Sequence, residues 1–281
     1  MTTSGDRSAV PAPGQSGIRL LAVHAHPDDE TLATGIALAH HRRQGDEVHV
    51  VTCTLGEEGE VIPPELAYLE RSADLAPHRH TELVEAMMTL GVRHHYLGGA
   101  LPRWRDSGMV GSEAAAHSRA FAGADVAEAA GVLAEQLRAI DPDVVLTYDR
   151  SGGYGHPDHI QTHRVTVAAV ASLPAPARPP LYVALTPRSW AQEDRRWLAE
   201  HVPSEAPLTV PGRDDPFATS VVPDDQVSHR LHSAPAAPLR DEALRHHRTQ
   251  VSVYDGYYAL SNDIAARLSD REGYARWTDD D

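Results

Sequence analysis

Five runs of strand length, most of them followed by a stretch with helical spacing, limit this chain to very few folds. The runs are 18–24, 47–54, 93–97, 143–148 and 181–185. Each has strand length, and most lack the alternation of a strand with one wet face, so both faces are expected to be covered. Leu32, Ile36 and Ala39 lie on one side of a helix that Gly45 ends, and Leu83, Met87 and Leu90 on another, spanning 80–90 and ended by Gly91. Val126, Ala130, Leu133, Leu137 and Ile140 mark a third helix over 125–140, and a fourth runs from about 158 to 172. Strand and helix in strict alternation predict an α/β fold, a Rossmann-like, mostly parallel sheet with helices on both faces. In such sheets ligands bind beyond the carboxyl ends of the strands.

The expected division is a disordered, Pro/Gly/Ser-rich leader at 1–17, a catalytic core at 18–185, and 186–281 as an irregular C-terminal cap completing the same domain. Residues 186–238 are Pro-rich and irregular, a last helix is expected over 239–250, and the tail is acidic. A length of 281 residues suffices for one large core.

Charge narrows the partners. With 25 Lys and Arg against 40 Asp and Glu, the net charge of −15 repels nucleic acid and anionic lipid and favours a small substrate. The leader lacks the apolar core of a secretory signal, and no apolar stretch reaches the roughly 20 residues that span a bilayer, so a cytoplasmic location is expected. The single cysteine, Cys53, rules out an intramolecular disulfide and a multi-cysteine zinc site, so any metal needs nitrogen and oxygen donors. Cys53 itself reads as a core residue. The 18 histidines are no evidence by number, and the pairs His40-His41, His94-His95 and His246-His247 read as solvated surface.

Two segments carry chemistry. His26-Pro-Asp-Asp-Glu30 follows the first strand, and its spacing lets His26 and Asp29 aim at one point, with Asp28 to one side. The plain alternative is an aspartate capping the helix N-terminus. Gly152-Gly-Tyr154-Gly155-His156-Pro-Asp158-His159 follows the fourth strand and offers one ligand plus a separate acid/base group, against the alternative of an ordinary glycine-rich loop. His163 reads as packing. Three ligands with a vacant fourth position are the layout of catalytic rather than structural zinc. No Gly-x-Gly-x-x-Gly follows the first strand, which argues against a dinucleotide-binding module.

These motifs resemble those of the LmbE/PIG-L family of N-acetylglucosaminyl deacetylases. Val51-Thr-Cys-Thr-Leu-Gly-Glu-Glu-Gly-Glu-Val-Ile62, Tyr96-Leu-Gly-Gly and Arg103-Trp-Arg-Asp-Ser-Gly-Met109 are similar to its mycothiol-pathway branch. That resemblance implies removal of the acetyl group from 1-O-(2-acetamido-2-deoxy-glucopyranosyl)-myo-inositol in mycothiol biosynthesis. It implies one Zn2+ per chain, although Fe2+ and Co2+ also suit such ligands. Carried over by motif, His26, Asp29 and His159 are the metal ligands and Asp28 is the general base. His156 is its protonated partner, which Asp158 orients, and Tyr154 assists the tetrahedral intermediate. Arg79, Asp106 and Glu60 correspond to substrate-contacting positions. Thr31 stands where serine is common. The competing readings are an amidase of mycothiol S-conjugates, another N-acetyl-amino-sugar deacetylase of the family, and a non-catalytic carbohydrate binder.

Overall fold

The computed structural model describes residues 17–278. The leader expected at 1–17 therefore lies, but for Gly17, outside the described residues. Strands β1 (Arg19–His24), β2 (Glu47–Thr52), β3 (Arg93–Tyr96), β4 (Val144–Tyr148) and β5 (Leu181–Pro187) alternate with helices α1 (Asp29–Arg43), α2 (Leu75–Leu90) and α3 (Val126–Ile140). A kinked turn, α4 (Gly152–Gly155), and helix α5 (Pro157–Ser172) lie between β4 and β5. Then follow α6 (Arg188–His201), β6 (Val221–Val222), β7 (His229–His232), α7 (Ala237–Leu244), β8 (Ser252–Val253), β9 (Tyr257–Ala259), β10 (Ala265–Arg267) and β11 (Arg271–Arg276).

The main sheet runs β3-β2-β1-β4-β5-β11-β7, with β6 also paired to β5. From β3 to β5 all pairs are parallel, and β11 joins β5 and β7 antiparallel. Strand order reverses between β1 and β4, which makes the crevice beyond their carboxyl ends the topological switch point. The loops that carry both chemical motifs open there.

Alternation along β1 shows why the sheet is covered twice. Leu20 and Ala22 face a core shared with Ile36, Leu38, Leu83 and Met87 of α1 and α2. Leu21 and Val23 face the other core, with Leu133, Leu137 and Val165 of α3 and α5. Each such buried leucine contributes about 1.5–3 kcal/mol. Cys53 lies fully buried in this second core, and Trp104 anchors its loop there against Phe121.

Three expectations need correction. The segment 186–238 is not uniformly irregular, since α6 fills 14 of its residues. Trp190, Trp197 and Leu198 fall on one face of that helix, but Leu198 alone is buried and most other positions are charged or polar. The helix expected over 239–250 is α7 and stops at Leu244, leaving His247, Thr249 and Gln250 in a turn. Helix α2 begins at Leu75, five residues before the expected 80, so Arg79 lies inside it. Among the described residues, no helix is long and apolar enough to cross a membrane.

Candidate metal centre and active site

Helix α1 starts in an unusual way. Asp28 sits at φ 102°, where a side chain is strained by about 1–3 kcal/mol, and its carboxylate makes no capping hydrogen bond. The capping alternative therefore fails for Asp28. Its carbonyl accepts the N–H groups of Thr31 and Leu32, and Arg79 reaches its Oδ2 at 3.3 Å. The strained turn aims Asp28 into a cavity of about 650 Å³ that opens at the switch point, a size typical of small-molecule sites. Burial raises the Asp28 carboxyl, with Arg79 opposing, to about 7. That is the range in which a general base works best near neutral pH.

His26, Asp29 and His159 converge. His26 Nδ1 lies 3.2 Å from Asp29 Oδ2 and 3.2 Å from His159 Nε2, and the third side of the triangle is 3.3 Å. Ligands about 2.0–2.1 Å from a tetrahedral ion stand about 3.3 Å apart. Three deprotonatable N and O donors, all buried, thus fit one divalent cation and face a common vacant corner. Each donor is braced from behind. His159 Nδ1 donates to the Gly152 carbonyl at 3.1 Å, and its ring stacks on Tyr148 with centroids 4.3 Å apart. The Tyr148 hydroxyl accepts from Ala25 N–H at 3.0 Å and hydrogen-bonds Asp29. Asp29 Oδ2 accepts the His26 N–H at 2.9 Å. Such partners fix ring orientation and ligand basicity.

Asp158 differs from what the resemblance implied, and Asp106 makes a contact beyond it. The Asp158 carboxylate does not orient the His156 ring; its Oδ2 stands 3.3 Å from His26 Nε2 and accepts Ser107 N–H at 2.9 Å. Asp106 Oδ1 lies 3.4 Å from the same His26 nitrogen while accepting Gly108 N–H. Two carboxylates therefore clasp the outer nitrogen of a candidate ligand. Burial opposes a charge on His26, but Asp106, Asp158 and Asp29 outweigh it and hold its pKa well above the ordinary value. Asp106 still lines the cavity, as do Arg79 and Glu60. Arg79 is buried and spends its guanidinium on the carbonyls of Gly56 and Pro27, both at 2.6 Å, and on Asp28. The Glu60 side chain is exposed at the rim, and its carbonyl is held by Gln250.

His156 caps α5: its Nδ1 accepts the Asp158 N–H at 3.2 Å, which leaves Nε2–H free to face the cavity. Burial, then His26 and His159, lower its pKa to about 4. The resting imidazole is neutral near pH 7, not protonated as the resemblance implied. Tyr154 is 58% exposed on the glycine turn, its ring 5.1 Å from that of His159. His163 packs as expected, bonded to the Tyr148 carbonyl.

Several site residues were not singled out in the sequence. Tyr148 ends an apolar strand and resembles any core tyrosine. Ser107 and Gln250 reach the site from distant loops. His247 belongs to a pair that reads as surface, yet it is fully buried, with Nε2 3.1 Å from Glu30 Oε1. Burial opposes its charge, but Glu30 prevails and raises its pKa. His94 is also largely withdrawn from water, bonded to Thr52.

Three donors around one point, with a carboxylate and a neutral imidazole beside them at the switch point of a parallel sheet, form a candidate divalent-cation site of the kind that hydrolases use. Residues 21–170 match the family described as PIG-L: GlcNAc-PI de-N-acetylase. The chain belongs to that family. Curated relatives named 1D-myo-inositol 2-acetamido-2-deoxy-alpha-D-glucopyranoside deacetylase are similar over most of the chain. That of Thermobifida fusca is 44% identical, covering 89% of each chain. That of Actinosynnema mirum is 46% identical, covering 91% of this chain and 90% of its own. That of Mycolicibacterium smegmatis is 45% identical, covering 91% and 89%. Among solved structures, N,N'-diacetylchitobiose deacetylase from Pyrococcus horikoshii is 20% identical with a TM-score of 0.53, covering 84% of this chain and 72% of its own. A deacetylase of teicoplanin biosynthesis is 20% identical with a TM-score of 0.56, covering 93% and 99%. These two likenesses concern the fold.

Proposed function

We propose that the chain hydrolyses the acetamide of 1-O-(2-acetamido-2-deoxy-glucopyranosyl)-myo-inositol, the deacetylation step of mycothiol biosynthesis, with Zn2+ held by His26, Asp29 and His159. The observation that carries this reading is the 3.2–3.3 Å donor triangle with Asp28 opening into the same cavity. The names of the relatives at 44–46% identity supply the substrate.

Bound zinc polarises a carbonyl and lowers the pKa of water toward about 7. The remaining work falls to the chain. Asp28, with a pKa of about 7, accepts the proton of the attacking water. The Nε2–H of His156 and the hydroxyl of Tyr154 are donors for the oxygen that gains charge as the amide becomes tetrahedral. The amine then leaves with the proton that Asp28 took from the water. Arg79 holds Asp28 in place and, with Asp106 and Glu60, lines the wall against which the sugar and inositol hydroxyls rest.

The test is acetate release from that substrate with and without a chelator, alongside hydrolysis of a mycothiol S-conjugate. A chelator-sensitive kcat/KM that favours the acetylated pseudodisaccharide supports the reading, and a preference for the conjugate replaces it with the amidase. A chain that binds the sugar but releases no acetate is a carbohydrate binder instead.

A further inference from the structure

His247 lies outside residues 21–170 and is buried where no substrate reaches. Its surroundings lead back to Asp28. The peptide joining Pro27 to Asp28 is gripped at both ends: its carbonyl accepts from Arg79 at 2.6 Å, and its N–H donates to Glu30 Oε2 at 3.1 Å. The plane of that peptide sets the rotation about N–Cα of Asp28, and therefore where the carboxylate points. Glu30 is held in turn through its other oxygen, which accepts the Thr31 hydroxyl at 2.5 Å and lies 3.1 Å from His247 Nε2. The turn bearing His247 is tied to α2, because Thr249 donates both N–H and hydroxyl to the buried Glu82. A continuous chain of contacts thus runs from α2 through the turn, His247 and Glu30 to the backbone of Asp28.

We propose that His247 is a positioning residue for the hydrolysis: through Glu30 it fixes the strained backbone of Asp28 and hence the direction in which that carboxylate meets the water. The proposal rests on the reading of Asp28 as the base. A buried pair that only stabilised the fold would lower the amount of folded enzyme without changing kcat selectively.

The experiment places His247→Leu and His247→Gln in the wild-type chain and in Asp28→Ala, and measures kcat, KM, bound zinc and melting temperature. His247→Leu fills the space without a donor and is expected to lower kcat about 10–100-fold, the scale set by small displacements of a reacting group. KM is expected to stay within about threefold, with zinc at one equivalent. His247→Gln keeps an N–H for Glu30 and should recover kcat to within about threefold of wild type. In Asp28→Ala, His247→Leu should slow the residual rate no further, since a coupling through Asp28 has nothing left to act on. Equal losses in both backgrounds, a wild-type rate for His247→Leu, or a glutamine variant as slow as the leucine variant each overturn the proposal. If His247→Leu does not fold, Thr31→Val decides: it removes the other donor to the same oxygen at nearly constant shape. A several-fold fall in kcat at unchanged KM is then expected, and an unaltered kcat overturns the proposal. An Asp28→Ala enzyme of undiminished rate refutes the base assignment itself, and with it any route through Asp28.

Discussion

Gly152→Ala should loosen the candidate metal centre without touching any donor atom. Gly152 has φ +67°, and a Cβ there would stand 2.7 Å from His159 Cβ and 2.8 Å from the Ile160 nitrogen. Ordinary contact begins at 3.4 Å, so about 0.7 Å of displacement is required, much of it against backbone. The left-handed conformation adds about 1–2 kcal/mol for a residue with a side chain. The Gly152 carbonyl is also the acceptor that fixes the His159 ring at 3.1 Å. Relief of the clash therefore moves either His159 or its brace, and the 3.2–3.3 Å triangle cannot keep all its sides. Loss of a partner behind a ligand weakens metal binding about 10–100-fold, or about 1.4–2.7 kcal/mol. Competition against a chelator of known affinity measures this directly, and excess zinc should restore part of the acetate release. A zinc affinity within about twofold of wild type would refute the link between the glycine turn and His159.

Further predictions concern the ligands, the base and the far end of the sheet. His159→Ala should purify without zinc by elemental analysis, and full metal retention would mean that the ligand set is wrong. Asp28→Ala should keep its metal and slow turnover about 10²–10⁴-fold, the usual range for a general base. Glu272 gives a pH effect on stability. Burial raises its pKa from 4.5 to about 6, against bonds from Tyr274 and from the Ile36 and Ala37 N–H groups. The folded state then binds its proton more tightly than the unfolded chain. That stabilisation, about 2 kcal/mol, is complete below pH 4.5 and is lost as pH rises through about 6. Denaturant unfolding of Glu272→Gln should be flatter across that window, and an unchanged slope would exclude the residue.

The parallel half of the sheet was legible because β1, β2, β4 and β5 are largely apolar runs bounded by turn residues, a pattern that burial on both faces imposes, whereas edge strand β3 reads Arg-His-His-Tyr and buries only Tyr96. The convergence of His26 and Asp29 was legible for a related reason: a strand end followed closely by His-Pro-Asp-Asp leaves those side chains little choice of direction. What escaped lacks a local signature. Strand β11 reads Arg-Glu-Gly-Tyr-Ala-Arg and holds its place through partners on β5 and β7 rather than through its own apolarity. His247 sits in a polar pair typical of surface, and the carboxylate of Glu30, 217 positions away, makes its burial tolerable. The target of Asp158 could not be read at all, because His26 and Ser107 reach it from two other loops.

The placement of β11 also shapes how the molecule is made. Its six residues slot between β5 and β7 long after β5 has been synthesised. Until they arrive, β5 presents a bare edge to any passing strand, which is the geometry that invites aggregation. A chain whose β11 is not yet in place therefore carries an adhesive edge, which a holdase would shield.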